Sequence, residues 1–280
     1  MFLSNKRTKI IGLGLVLLLL VIGFWIYSKQ RSYSFFVAGH VYGSPLEESP
    51  RLYSPFLETF DDLNSDELMV HGFLTGDIVK NPNEESWTQV DKDLEGLKMP
   101  LDFAPGNHDL KDYDLYTERY GPIGRYFFLE NDLFLIPEVQ VDGWVISKNQ
   151  ITFFQNLVER NQDWIENIFV FVHQAIYIDY MHLSPNSFEG KTDAINFKSE
   201  VLPALEETNK PTYIFSGDVG AFDWGMSIFH EPMDNITYVA SGMGGGVADN
   251  YLIIDVLNDK TVEFRIVSLQ EADLGEIDDY

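Results

Sequence analysis

Short apolar runs that end in polar residues constrain this chain more than any other feature. Four such ends are Leu74-Thr75-Gly76-Asp77, Gly106-Asn107-His108-Asp109, Phe171-Val172-His173 and Ser216-Gly217-Asp218. Each run is rich in Val, Ile and Phe and indicates a buried strand. The carboxyl ends of strands line the ligand site of open α/β sheets, so we expect these side chains to meet at one rim. Carboxylate, amide and imidazole groups together are a ligand set for a divalent metal.

The amino terminus carries a separate signal. Residues 10–27 are eighteen residues without a charge, and three basic residues precede them. A helix of that length spans roughly 27 Å, close to the thickness of a bilayer's hydrocarbon. We therefore predict a cytoplasmic stub and transmembrane signal anchor in residues 1–30, and one domain outside the cytoplasm in residues 31–280. A buried core helix is the alternative, and Lys29 and Arg31 flank the other end of the run.

Charge and cysteine content exclude several functions. All 44 acidic residues follow the apolar run, together with 16 of the 19 basic ones. A body this acidic argues against nucleic acid or anionic lipid as a partner of the domain. The chain has no cysteine, so disulfides, thiolate nucleophiles and cysteine-based zinc sites are excluded.

Apolar spacing and turn signals predict alternating strands and helices, followed by a run of strands, which is typical of mixed sheets with outer helices. A capping box at Ser147-x-x-Gln150 opens one of the helices. The predicted helices are Pro55–Leu63, Glu84–Leu97, Ile151–Glu159 and Phe197–Glu207. The predicted strands are Tyr33–Ala38, Met69–Thr75, Leu101–Ala104, Tyr126–Leu129, Leu133–Ile136, Asn167–Val172, Thr212–Phe215, Met226–Phe229, Ile236–Ala240, Tyr251–Val256 and Val262–Leu269.

The tetrapeptide Gly-Asn-His-Asp, about thirty residues after Gly76-Asp77, is a specific pattern, since a βαβ unit has roughly this length. With these motifs the sequence resembles the calcineurin-like metallophosphoesterases, whose order is Asp-x-His, Gly-Asp, Gly-Asn-His-Asp/Glu, a later His, then Gly-His-x-His. The resemblance covers about residues 33–268. It implies an α/β fold, a four-layer α/β/β/α sandwich of two mixed sheets. It also implies a two-metal centre at which a metal-bound hydroxide hydrolyses phosphate esters.

The resemblance assigns roles to individual positions. Asp77 resembles the carboxylate that bridges the two metals, and Asn107 and His173 resemble ligands of the second metal. His108 resembles the imidazole that contacts the phosphate or protonates the leaving oxygen, with Asp109 placed to orient it. His40 falls at the His of the first motif, where it is either a ligand or phosphate contact or a group hydrogen-bonded to backbone.

Two motifs depart from the family pattern. Ala38 stands at the Asp of the first motif, and Asp218 and Gly220 stand at the two His of the last motif. The positions Ala38 and Gly220 would serve the first metal. We therefore expect one firmly held metal and a weak or absent second one. The expected ligands of the firm site are Asp77, Asn107, His173 and Asp218. Three oxygens and one nitrogen favour Mn, Fe or Mg over Zn.

Weaker candidates complete the site. Arg119 and Arg125 are among the few cations near the Gly-Asn-His-Asp loop, and we expect them to clamp an anionic substrate. Asp223 or His230 could replace a lost ligand. The glycine-rich stretch Ser241–Gly246 is either a loop that approaches the site or a plain turn before the next strand.

Two functions of different classes follow. The first is a membrane-anchored metal-dependent phosphoesterase acting on a phosphate mono- or diester, either a small molecule or an envelope component. The second is a non-catalytic binding or scaffold protein on the same fold, because Ala38 and Gly220 remove ligands. A hydrolase for another kind of ester is a third possibility. The bilayer is an expected partner through residues 10–27, and no nucleic acid is expected.

Overall fold

The computed structural model describes residues 21–23, 27–140, 145–175, 197–220 and 226–280. Within these residues two mixed β-sheets lie face to face, with helices outside both. Within the same ranges no helix is both long and apolar enough to cross a membrane. Most of the anchor predicted at residues 10–27, namely 10–20 and 24–26, lies outside the described residues.

The first sheet has the order β13-β12-β1-β2-β3. Strands β1, β2 and β3 run parallel, and β12 lies antiparallel to both β1 and β13. The carboxyl ends of β1, β2 and β3 therefore meet at one edge of the sheet, where the Gly-Asp and Gly-Asn-His-Asp motifs begin. The bounds are β1 Arg31–Ala38, β2 Met69–Leu74, β3 Leu101–Phe103, β12 Asn250–Leu257 and β13 Val262–Ser268.

The second sheet has the order β10-β11-β9-β8-β5-β4. Strands β5, β8, β9 and β11 are parallel, and the edge strands β4 and β10 are antiparallel to their neighbours. Strands β8 and β9 thus deliver His173 and Asp218 to the same rim. The bounds are β4 Arg125–Leu129, β5 Asp132–Ile136, β8 Ile168–Val172, β9 Thr212–Ser216, β10 Ile228–Met233 and β11 Ile236–Ser241, with a separate short pair β6 Val139–Gln140 and β7 Val145–Ile146.

An aromatic layer fills the space between the sheets. Phe73 of the first sheet stacks on Phe171 of the second with ring centroids 3.8 Å apart, and Phe35 makes edge contacts with Phe134 and Phe169. Phenylalanines on both inner faces bury large apolar areas without polar atoms to satisfy. This layer holds the two sheets, and with them the two halves of the site, against each other.

Helices cover the outer face of each sheet. Trp87 and Phe56 are fully buried between helices and the first sheet, whereas Ile151 and Leu205 pack on the second. The helices are α1 Ser54–Glu58, α2 Phe60–Ser65, α3 Glu84–Leu94, α4 Tyr113–Tyr120, α5 Lys148–Asn161 and α6 Leu202–Glu206. A 3₁₀ turn, Asp109–Asp112, precedes α4, and a π-helical turn, Phe197–Val201, precedes α6. The four layers expected from the sequence are therefore present.

Most predicted elements lie within a few residues of the observed ones, with three local differences. The predicted helix 55–63 is split at Thr59 into α1 and α2, and the helix Tyr113–Tyr120 was not predicted. The Ser147 side chain caps α5 by accepting from the Gln150 N–H. The Gln150 side chain completes no capping box, since it bonds Glu138 instead.

The chain enters β1 along the β12–β13 turn. The Ser28 and Gln30 carbonyl oxygens accept hydrogen bonds from the N–H groups of Asp259 and Asn258, and Lys29 forms an ion pair with Asp259 at 3.2 Å. Residues 27–30 are thereby fixed at the amino end of β1, the end opposite the rim.

Candidate metal centre

Two tight turns place the first pair of site residues. His40 and Asp77 follow Gly39 and Gly76 at the ends of β1 and β2, and both have positive φ, 54° and 51°. The turns are joined, because the His40 N–H donates to the Gly76 carbonyl and the Tyr42 N–H to that of Asp77. Left-handed backbone at non-glycine residues is costly and collects at functional sites. This conformation turns both side chains into the rim.

Three of the predicted site residues converge on the fourth, His173. Its Nε2 atom lies 3.3 Å from Asp77 Oδ1, 3.2 Å from Asn107 Oδ1 and 3.8 Å from Asp218 Oδ1. One ligand atom from each of Asp77, His173 and Asp218 lies within 4.8 Å of the others. Strands from both sheets contribute, so the cluster depends on the whole fold.

The surroundings of the His173 ring favour a positive charge in this cluster. Its Nδ1 atom lies 2.8 Å from the Thr75 carbonyl oxygen, which fixes a proton on Nδ1 and leaves Nε2 facing three oxygen atoms. Burial alone would lower the pKa of His173, but Asp77 and Asp218 outweigh burial and raise it. Such a site is stabilised by a second ring proton or by a metal ion. The oxygen-rich donor set fits a divalent metal.

Glycine is required at two points because backbone and ligands approach closely. A Cβ at Gly106 would collide with Asp77 Oδ1 and lie 2.8 Å from His173 Nε2. A Cβ at Gly217 would collide with the carbonyl and hydroxyl oxygens of Thr75. These glycines leave room for the ligand side chains.

Asp109 has a different role from the one predicted. Its carboxylate is fully buried and accepts hydrogen bonds from the N–H groups of Ile78, Val79 and Gly106, at 2.8 to 3.0 Å. Burial raises the pKa of Asp109 to about 7, with a further rise from Asp77. Asp109 therefore joins the Gly-Asp loop to the Gly-Asn-His-Asp loop, and it does not orient the His108 ring.

His108 stands at the edge of the cluster. Its backbone N–H donates to Asp77 Oδ1 at 3.2 Å, and its ring Nδ1 lies 2.7 Å from the Lys80 carbonyl oxygen and 3.0 Å from Lys111 Nζ. The opposite ring atom, Nε2, is therefore left for a ligand. This geometry is compatible with the proton-donor role expected from the sequence.

The Oδ2 side of Asp77, opposite the Oδ1 atom that faces His173, has fewer candidate metal ligands. Asp77 Oδ2 faces His40 Nε2 at 3.5 Å, and the neighbouring Ala38 is buried in the apolar core. Burial lowers the pKa of His40 to about 4, so the ring is neutral at pH 7. Gly220 offers no side chain. Among the described residues, the site is thus asymmetric about Asp77.

Tyr42 joins the site although no sequence motif indicated it. The side chain is buried, with ring centroids 4.3 Å from His40 and 5.3 Å from His108. Burial raises the pKa of Tyr42, and Asp77 and Asp218 raise it further, so the phenol stays protonated. The only sequence signal is its position two residues after His40.

The weaker candidates lie elsewhere. Arg119 binds Asp91 and Glu84 of α3, and Arg125 binds Asp102, so the positive charge of both arginines is neutralised by carboxylates. The substrate clamp that we expect from these arginines stays a prediction. His230 lies 3.5 Å from Asp278, between β10 and the carboxyl terminus. Asp223 lies outside the described residues.

The glycine-rich stretch does approach the site. The Met243 N–H donates to the Gly39 carbonyl oxygen, next to His40. The N–H groups of Gly244, Gly245 and Gly246 all donate to the buried carboxylate of Asp249. Because Asp249 occupies these donors, the loop is closed by its own side chain and does not form an open phosphate cradle.

Two stacked mixed sheets thus carry an Asp-His-Asp cluster that could hold a metal ion at their strand ends. Residues 40–222 match the calcineurin-like phosphoesterase family, and the chain therefore belongs to that family. Membership implies divalent metal binding. No curated protein matches the chain.

The chain is similar to several solved structures, and one of them supports the fold. A dimetal phosphatase from Danio rerio superposes with a TM-score of 0.62 at 11% identity, covering 86% of this chain and 97% of its own. A conserved uncharacterised protein described as a predicted phosphoesterase, from Streptococcus pneumoniae, gives a TM-score of 0.37 at 11% identity, covering 84% and 97%. Vps29 from Entamoeba histolytica gives 0.36 at 10% identity, covering 84% and 98%.

Proposed function

We propose that the protein is a metal-dependent phosphoesterase that hydrolyses a phosphate mono- or diester with one firmly held divalent metal. The observation that carries the proposal is the environment of His173, where Nε2 faces oxygen atoms of Asp77, Asn107 and Asp218. These four residues would hold the metal. Mn, Fe or Mg suits the oxygen-rich set better than Zn. A second metal beside His40 would be weak or absent.

When bound, the metal would supply Lewis acidity and neutralise charge on the phosphoryl group. The chain's own contribution centres on His108. Its Nδ1 either donates to the Lys80 carbonyl oxygen or accepts from Lys111 Nζ, and both contacts leave Nε2 toward the ligand. In the ring protonated on both nitrogens, Nδ1 donates to Lys80, and Nε2 passes its proton to the leaving oxygen as a water oxygen bonds to phosphorus and the ester P–O bond breaks. The products are the alcohol, the phosphate and a neutral ring still bonded to Lys80, and the proton lost by the water passes to solvent.

Hydrolysis of aryl phosphate mono- and diesters in the presence of Mn²⁺ tests the proposal. Asp77→Asn and His108→Ala should each lower kcat/KM by at least about 100-fold. The His108 effect should be larger for alkyl than for nitrophenyl esters, since a poorer leaving group depends more on a proton donor. Matched controls are Asp132→Asn, at a buried residue, and His71→Ala, at a partly buried one, which are residues of the same types outside the site. Activity that survives both site substitutions would refute the proposal.

The asymmetry of the site favours a second candidate, a non-catalytic binding or scaffold protein. On the Oδ2 side of Asp77, His40 is the one further ligand among the described residues, and Ala38 supplies none. Metal analysis of the purified chain separates the two candidates. About one equivalent of metal per chain, together with turnover, supports the enzyme. A chain with no bound metal and no turnover supports the scaffold protein.

We also propose that residues 10–27 anchor the protein in the cell membrane, with the catalytic domain outside the cytoplasm. The uncharged run and the basic residues Lys6, Arg7 and Lys9 before it support this orientation. Resistance to alkaline extraction, together with digestion of the domain by protease added outside intact cells, is the expected result. Release by alkali, or protection from the protease, would contradict it.

A further inference from the structure

Tyr42 occupies a special position in the site. It is 6% exposed, its backbone N–H is bonded to the Asp77 carbonyl, and its ring contacts those of His40 and His108. These contacts fix the ring from three sides. The phenol therefore has little freedom to leave the rim.

The Tyr42 hydroxyl is available to a ligand. Among the described residues, none is hydrogen-bonded to this hydroxyl, and its oxygen is not one of the fully buried side-chain atoms left without a partner. The carboxylates of Asp77 and Asp218 are its charged neighbours. The hydroxyl can donate a hydrogen bond to an acceptor that a bound ligand brings to the rim.

Charge explains why such a donor is useful here. A phosphate ester near Asp77 and Asp218 needs positive charge or donors on every side that the metal does not cover. On the His40 side of Asp77, the imidazole of His40 faces Asp77 Oδ2, and the neighbouring Ala38 is apolar. A phenol supplies a hydrogen bond there without requiring a further buried charge.

We propose that Tyr42 is a catalytic residue whose hydroxyl donates a hydrogen bond to a non-bridging phosphoryl oxygen on the ligand-poor side of the metal centre. The inference rests on the proposed phosphoesterase function and names a further residue of that site. The hydrogen bond strengthens as charge builds on the phosphoryl oxygens, and the phenol keeps its proton throughout.

Tyr42→Phe in the full-length, Mn²⁺-loaded protein in detergent tests the proposal, because phenylalanine keeps the ring contacts and removes only the hydroxyl. The matched control is Tyr251→Phe, a buried tyrosine of β12 packed against Phe36 and Phe56. Two quantities are measured for each protein, namely kcat for an aryl phosphate and the affinity for inorganic phosphate by calorimetry. The metal content of each sample is measured alongside.

The expected result is a fall of about 10- to 100-fold in kcat and about 10-fold in phosphate affinity for Tyr42→Phe, with metal content unchanged. The Tyr251→Phe variant should match wild type in kcat and in phosphate affinity. Phosphate affinity that does not change in Tyr42→Phe, or no phosphate binding by the wild type, would overturn the proposal. If phosphate binding depends on Tyr42 but no turnover occurs, the hydroxyl contact stands and the phosphoesterase function fails.

Discussion

The His173 imidazole lies 3.3 Å from the Asp77 carboxylate with its other nitrogen bonded to the Thr75 carbonyl oxygen. The two side chains come from different sheets, so their distance is set by the packing of the aromatic layer between the sheets. The metal centre is therefore a property of the assembled sandwich and not of any one loop.

Removal of the His173 imidazole should weaken metal binding. His173→Ala deletes the nitrogen ligand and leaves the oxygens of Asp77, Asn107 and Asp218 facing one another. We expect at least about a 100-fold loss of Mn²⁺ affinity, more than is typical for an outer-shell partner. Titration calorimetry measures the loss, with His71→Ala as control. Equal affinities for the His173 variant and wild type would place the metal elsewhere.

Gly106→Ala should damage the centre without unfolding the domain. The added Cβ would collide with Asp77 Oδ1, which must move away from His173. Mn²⁺ affinity should fall by about 10-fold or more, with the thermal midpoint lowered by only a few degrees. Gly96→Ala, whose Cβ would meet nothing nearer than 3.1 Å, is the control. If both variants bind Mn²⁺ as wild type does, the close approach is not functional.

Asp109→Asn separates a structural from a catalytic role for this residue. An amide replaces one of the oxygens that accept backbone N–H groups, so at least one buried donor loses its partner. We expect a loss of about 2–4 kcal/mol in the free energy of unfolding, measured by urea denaturation. A stable variant with a selective fall in kcat would instead support the role first inferred from the sequence.

Asp255 should make stability depend on acid pH. Burial alone would raise the pKa of Asp255, but hydrogen bonds from Arg265 and Ser34 outweigh burial and lower it below its ordinary value of 3.8. The unfolded chain thus binds a proton more readily than the folded one. The stabilisation is complete above pH 3.8 and is lost as pH falls through the lowered pKa.

The corresponding experiment compares wild type with Asp255→Asn in urea. At about pH 7 the variant should be less stable by about 1–3 kcal/mol, because it loses the ionic hydrogen bonds. As pH falls from 3.8 through the lowered pKa of Asp255, the difference should shrink, because wild-type Asp255 then becomes protonated as well. A difference that is the same at both pH values would show that the charge of Asp255 does not stabilise the fold.

The sequence predicted the sheets and the rim because strand ends carry a local signal. Asp77, Asn107, His173 and Asp218 each follow an apolar run, and the parallel order of the strands brings the runs together. Contacts between segments that lie far apart in the sequence leave no local pattern from which to predict them. The pairing of Arg125 with Asp102 and the three donors to Asp109 depend on where separate loops lie in space.

Tyr42 and helix α4 were missed for different reasons. A single tyrosine after a strand is most often a core residue, and only the contacts with His40 and His108 distinguish this one. Helix α4 is mostly polar, with Tyr116 as its buried residue, so its apolar periodicity is weak. The 3₁₀ turn before it begins at Asp109, which the family motif already occupies.

Strand β1 separates the candidate site from the segment that leads to the proposed anchor. Residues 27–30 are tied to the β12–β13 turn at its amino end, and His40 follows its carboxyl end, eight strand residues or about 26 Å away. With the chain anchored through residues 10–27 as we propose, the catalytic rim points away from the bilayer. Substrate would then arrive from the aqueous side, and an ester buried in the anchoring leaflet would lie out of reach.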